Sequence, residues 1–196
     1  MGWEWPGTLV LHAGNMGAKQ GLENVVESAR LAEKLGHPIQ FVLLGHGNQR
    51  SALVELAGGI SNIHFVDPLP DHLFSHALAA ADILLVNEKV GVAEMAVPSK
   101  LTTYFSARKP VLAATESNST TADEVEASGG GVVIAPGVPE DLIGAVLALG
   151  KDEEKCAQLA DRGVQYKNGV LSPSECLGAH GAWIKALLGS NDSNRV

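Results

Sequence analysis

The sequence predicts a doubly wound α/β domain on a mostly parallel six-stranded sheet, and two observations carry that prediction. Short apolar runs bounded by Gly, Pro, Asn or Asp recur along the chain, as expected of strands buried on both faces. Amphipathic stretches with apolar residues at helical spacing lie between them. Strand and helix in alternation give βαβ units, whose right-handed crossovers leave ligands to bind outside the carboxyl ends of the strands.

The strand runs are Thr8 to His12, Gln40 to Leu44, His64 to Val66, Ile83 to Val86, Pro110 to Ala114 and Gly131 to Ile134. After the first, Leu22, Val25, Val26, Ala29, Ala32 and Leu35 recur at helical spacing, with Glu23, Glu27, Arg30 and Lys34 on other faces. Further helices are predicted over Gln49 to Ala57, Asp71 to Ala79, Ser99 to Ala107, Ala122 to Ser128 and Pro139 to Leu149. Beyond Leu149 the strands stop, and Glu153 to Tyr166 and Ser172 to Leu188 read as two terminal helices separated by a Gly, Ser and Pro break. Residues 1–7 read as a linker, 8–188 as one domain and 189–196 as a frayed polar tail.

At 196 residues the chain can bury a sizeable core, and 45% hydrophobic with 18% charged residues fits a soluble globular domain. A formal charge of -8 excludes general nucleic-acid binding, which needs a basic footprint, so the basic residues act locally. Cys156 and Cys176 show neither CxxC spacing nor a partner His pattern and read as thiols of a reduced, cytoplasmic protein. The start MGWEWPGTLV lacks the form of a signal peptide, and no apolar stretch approaches the roughly 18 residues of a membrane span. The domain is therefore expected to be neither exported nor membrane-spanning.

Candidate chemistry gathers at strand ends. After the first strand, HAGNMGAKQGLE combines Gly14 and Gly17, which permit close backbone approach, with Asn15, Met16 and the charge of Lys19. This suits a diphosphate, and it equally suits a glycine-rich turn with a solvated lysine, since it is neither a P-loop nor GxGxxG. The second strand ends in LLGHGNQR, where Gly45 and Gly47 bracket His46 and let the chain turn beneath a ligand. Arg50 there reads as a surface charge or a phosphate neighbour. After the third strand a proline-rich loop with Pro68 and Leu69, followed by Leu73, offers backbone groups and an apolar wall to a base. His72 and His76 share a helix face, but without HExxH they do not define a metal site.

The stretch VPSKLTTYF opens a helix with Val97, Pro98 and Ser99, and Lys100 adds a positive charge where unpaired backbone N–H groups and the helix dipole already favour an anion. Thr102 and Thr103 follow within a turn as hydroxyl donors. The loop ESNSTTADEV reads as a turn and N-cap, Ser119 to Thr121 leading into the next helix.

In this order, GNMGAKQGLE (Gly14 to Glu23), GHG (Gly45 to Gly47), AADILL (Ala80 to Leu85) and VPSKL (Val97 to Leu101), the chain resembles the C-terminal, donor-binding half of a GT-B glycosyltransferase of family 4, close to the colanic-acid and exopolysaccharide type. The resemblance runs from about Leu9 to Leu188. It implies a nucleotide-sugar donor, with Gly17, Lys19, Ser99 and Lys100 around the diphosphate and the Pro68–Leu69 loop at the base. It further implies no cofactor or metal, because Lys19 and Lys100 would stabilise the departing diphosphate. Partners implied are the N-terminal domain of the same full-length protein and a lipid-linked acceptor, with that protein peripheral to the inner face of the membrane. Two departures stand out: Ala96 and Thr103 occupy the places of a glutamate pair common in the family, with Glu94 near the first, and Asn15 replaces an arginine. A non-catalytic nucleotide- or partner-binding module and half of a sugar-nucleotide epimerase are the alternatives.

Overall fold

A computed structural model describes residues 5–92 and 99–172, together with positions 177, 178, 181, 183 and 184. Along the chain run β1 (Thr8–Ala13), α1 (Glu23–Lys34), β2 (Ile39–Leu44), α2 (Arg50–Ala57), β3 (Ile63–Val66), α3 (Asp71–Ala80) and β4 (Ile83–Asn87). They are followed by α4 (Ser99–Ser106), β5 (Val111–Ala114), α5 (Thr120–Ser128), β6 (Gly131–Ile134), α6 (Pro139–Gly150) and α7 (Glu153–Gly169). The six strands pair in parallel in the order β3-β2-β1-β4-β5-β6, so the doubly wound architecture is as expected. The described positions of the second terminal stretch are helical; its other residues, Cys176 and the tail 189–196 lie outside the described set.

Side-chain alternation along each strand splits the core in two. Val10, Phe41, Leu43, Ile83, Leu85 and Leu112 face α1 and α6, burying Val25, Val26, Ala29, Leu142 and Val146. Leu9, Leu11, Val42, Leu44, Leu84 and Val86 face the opposite way, against Ala77 and Leu78 of α3, Leu101, Tyr104 and Phe105 of α4, and Val125 of α5. With both faces covered, the strands read as unbroken apolar runs. Helix α6 returns onto α1, and α7 closes the other side against α4 and α5, where Gly163 lets the chains meet: a Cβ at Gly130 would lie 2.7 Å from the Gly163 Cα. Part of the expected linker is packed, because Trp5 stacks on His64 of the edge strand β3 with ring centroids 4.2 Å apart.

The strand order reverses between β1 and β4. Their pairing covers only Val10↔Ile83 and Leu11↔Leu84, after which the two strands part toward their carboxyl ends. That divergence opens the crevice in which doubly wound folds bind ligands.

Candidate functional site

Two structures flank the crevice. On one side, β1 runs into Gly14 at φ +138, then into a single 3-10 turn, Ala18–Gln20, ending at Gly21 in the left-handed region. The turn is stitched by Gln20 N–H to the Gly17 carbonyl and by Gly17 N–H to Gln20 Oε1, both at 3.1 Å. Asn15 and Lys19 remain exposed. On the other side α4 begins at Ser99, exposed, and Lys100, half-buried. A Cβ placed on Gly14 would lie 3.7 Å from Lys100 Nζ, so the glycine and the ammonium group meet across the crevice. Val97, Pro98, Glu94 and Ala96 lie outside the described residues; Thr102 is half-buried and Thr103 exposed.

The floor is polar. His12, on β1, is fully buried, and neither ring nitrogen makes a hydrogen bond of normal geometry among the described residues. Burial, then the positive charge of Lys100, pushes its pKa down to about 3, against a small opposing pull from backbone groups of Asn15 and Leu85. His12 is therefore a neutral imidazole within electrostatic reach of Lys100. Asn87, the last residue of β4, spends its whole amide on the facing loop: Nδ2 donates to the carbonyls of Gln20 (2.8 Å) and Gly21 (2.9 Å), and Oδ1 accepts from Asn24 Nδ2 (3.0 Å). Lys89 N–H adds a bond to the Lys19 carbonyl at 2.9 Å, and a Cβ at Gly21 would come within 2.9 Å of the Lys89 Cα. The lysine-bearing loop is thus bound to the end of β4.

Glu88 sits behind this floor. Its carboxylate is buried and accepts from the hydroxyls of Thr115 and Thr121, while Ser119, besides bonding Thr115, caps α5 by accepting from Ala122 N–H. The hydroxyls of Thr115, Ser119 and Thr121 are therefore engaged internally. From the α4 side, Tyr104 reaches the crevice and its hydroxyl meets the backbone of Ala13 and Leu85. Nothing in the sequence marks Tyr104 or Asn87: one occupies an apolar helix position, the other ends an apolar strand.

The second loop supports the first. A Cβ at Gly45 would lie 2.0 Å from the Gly14 carbonyl oxygen, and one at Gly47 2.4 Å from that of Met16. Met16 N–H donates to the His46 carbonyl at 2.9 Å, and the Met16 carbonyl accepts from Gln49 N–H at 3.0 Å. The expectation that Met16 contacts a ligand is corrected here, because its side chain is in the core and its backbone is already bonded. His46 stays exposed. Arg50 pairs with Asp67 at 2.9 Å, which fastens the start of α2 to the loop carrying Pro68 and Leu69. Pro68 is exposed, Leu69 and Leu73 half-buried, and His72 and His76 exposed; no cluster of metal-ligating side chains occurs among the described residues.

The strand order, with both faces covered and a crevice where it reverses, defines a doubly wound α/β domain. The glycosyl transferases group 1 family matches residues 6–166, and the chain belongs to that family. It is 36% identical over 101 residues to a protein named as a colanic acid biosynthesis glycosyl transferase, WcaI of Escherichia coli, covering 50% of this chain and 24% of WcaI. It is 29% identical over 143 residues to a protein named as a glycosyltransferase, WbjE of Pseudomonas aeruginosa, covering 69% of this chain and 34% of WbjE. The chain thus spans between a quarter and about a third of these relatives. Among solved structures, WaaG, a glycosyltransferase involved in lipopolysaccharide biosynthesis, superposes with TM-score 0.66 at 26% identity over 84% of this chain and 43% of WaaG. Anabaena HepE, solved with UDP and glucose, shares the fold with TM-score 0.67 at 18% identity over 83% of this chain and 44% of HepE.

Proposed function

We propose that this chain is the nucleotide-sugar-binding module of a glycosyltransferase that moves a sugar from a nucleoside-diphosphate donor to a polysaccharide or lipid-linked acceptor. One observation carries the reading: Lys100 Nζ stands against Gly14 at the point where the strand order reverses, joining a full positive charge to a backbone that can be approached closely. Lys19 and the Gly14–Gly17 backbone hold the diphosphate from one side, Lys100 and Ser99 from the other, and Arg50 holds the Pro68–Leu69 loop toward the base through Asp67. As the bond to the sugar breaks, negative charge grows on the departing diphosphate, and the ammonium groups of Lys100 and Lys19 on its two sides stabilise it. Neutral His12 fits this arrangement, since a positive charge at that buried position would repel Lys100.

Acceptor binding falls to the remainder of the protein, so this module alone transfers little or no sugar. No described helix is long and apolar enough to cross a membrane. The exposed Thr103 favours a second reading, a binding module without transfer chemistry, because no carboxylate stands there to hold the donor.

Thermal stabilisation by UDP, GDP and ADP tests the proposal. A nucleoside diphosphate at 100 times its Kd should stabilise the fold by about 2.7 kcal/mol, and Lys100→Ala should abolish most of that shift. Indifference of the wild-type protein to all three would sink the reading. Joining the module to the rest of its protein and assaying sugar transfer then separates transferase from binding module.

A further inference from the structure

We infer that Tyr104 is a positioning residue, whose hydroxyl sets the spacing between the two sides of the crevice and thereby the place of Lys100. The inference rests on the diphosphate reading above.

The ladder between β1 and β4 ends at Leu11↔Leu84. Just beyond it, the N–H and carbonyl of Ala13 and the carbonyl of Leu85 would face each other across a widening gap, and buried backbone groups do not stay unpaired. The Tyr104 hydroxyl enters that gap. Its oxygen accepts from Ala13 N–H at 2.8 Å, and its proton is shared between the Ala13 carbonyl at 3.2 Å and the Leu85 carbonyl at 3.4 Å. A side chain from α4 thus takes the place of the missing ladder bonds and fixes how far the strands part. Only a protonated phenol can both accept and donate here, and burial holds the Tyr104 pKa well above its ordinary value.

Lys100 and Tyr104 are spaced i, i+4, so they share a face of α4 about one turn apart. The helix has eight residues, too few to hold its own position without tertiary contacts. Leu101 and Phe105 fix its depth on the sheet by apolar packing, which tolerates small slides. The hydroxyl bonds are directional and lock its travel along the crevice. A shift of that helix would move Lys100 away from Gly14, against which it now rests.

The test is calorimetric titration of wild type, Tyr104→Phe, Lys100→Ala and the double variant with UDP, GDP and ADP, and with the matching nucleosides. Tyr104→Phe should weaken nucleoside diphosphate binding about 5- to 20-fold and leave nucleoside binding unchanged. In the Lys100→Ala background the same change should cost less than about twofold, because the lysine it positions is gone. Unchanged diphosphate affinity, or two effects that simply multiply, would overturn the inference while leaving the diphosphate reading intact. Wild type without diphosphate affinity would overturn both. Val146→Ala, in α6 on the opposite face of the sheet, serves as a destabilised control that should bind normally; if it weakens binding as Tyr104→Phe does, the effect is general loosening and the inference fails. Should Tyr104→Phe not fold, a fluorine label answers the same question: Tyr166→Phe leaves Tyr104 as the chain's one tyrosine. The resonance of 3-fluorotyrosine at Tyr104 should then move on adding the diphosphate in this background but not with Lys100→Ala; no movement overturns the inference.

Discussion

The two ends of the sheet differ in kind. At the amino end, a cavity of about 560 Å³ opens between the starts of β1, β4 and β5 and the corner from α6 to α7. Three of its polar groups are occupied: Asp82 accepts from Leu9 N–H, Arg108 pairs with Asp161, and the Cys156 thiol donates to the Leu149 carbonyl. Acidic and basic side chains are mixed along its wall. At the carboxyl end, between β1 and β4, glycines bring backbone close to backbone, His12 and Asn24 bury polar atoms without partners among the described residues, and the flanking segments carry Lys19, Lys89 and Lys100. Concavity does not separate the two ends, since a hollow of about 660 Å³ is lined by Thr115, Glu116, Val133 and Ile134 at the carboxyl ends of β5 and β6, whereas chemistry favours the carboxyl end. The lesson is that a half-site need not be a pocket, because in the proposed reading its other wall belongs to the rest of the protein.

The sharpest way to break this comparison is Gly45→Ala. A methyl 2.0 Å from the Gly14 carbonyl, at φ +140, should cost about 3 kcal/mol or more and abolish diphosphate binding. Urea unfolding that moved by less than about 1 kcal/mol would show that the two loops are not locked together.

His12 comes next. Its folded pKa of about 3 lies below the 6.5 of the unfolded chain, so the unfolded state takes up the proton first as pH falls. Stability present above pH 6.5 is then lost toward pH 3, by up to ~1.4 kcal/mol per pH unit. His12→Phe should flatten that limb in unfolding curves collected across the range; an identical limb would mean that other groups carry the acid sensitivity.

Asn87→Ala removes two hydrogen bonds to the loop bearing Lys19 and one to Asn24 of α1, and should cost about 1–3 kcal/mol together with a measurable loss of diphosphate affinity. Stability lost with affinity intact would detach Asn87 from the site. The smallest effect belongs to the amino end. Lys109→Ala with Lys151→Ala should leave stability within about 0.5 kcal/mol and nucleotide affinity within about twofold. A larger loss of affinity there would transfer the ligand to the wrong end of the sheet.

Strands, crossovers and the two lysine-bearing loops were legible because each has a local signal: apolar runs, glycine at a tight turn, proline and serine at a helix start. The GHG loop was half legible. Its glycines announce close approach, but only the fold shows that they approach Gly14 and Met16. Met16 misled, since a methionine inside a glycine-rich loop says nothing about which way it turns. Asn87, Glu88 and Tyr104 were illegible for one reason. Their partners lie between 19 and 91 residues away, and a strand-end asparagine or a helical tyrosine reads locally as an ordinary edge or core residue.

The central claim is that the diphosphate of a nucleotide-sugar binds where β1 and β4 part, between Lys19 and Lys100. A crystal structure of the protein with a nucleoside diphosphate tests it most directly. Phosphate density between the Gly14–Gly21 loop and the start of α4, with Lys100 Nζ in contact with it, is the predicted result. Density in the amino-end cavity with the carboxyl-end crevice unoccupied would contradict the account.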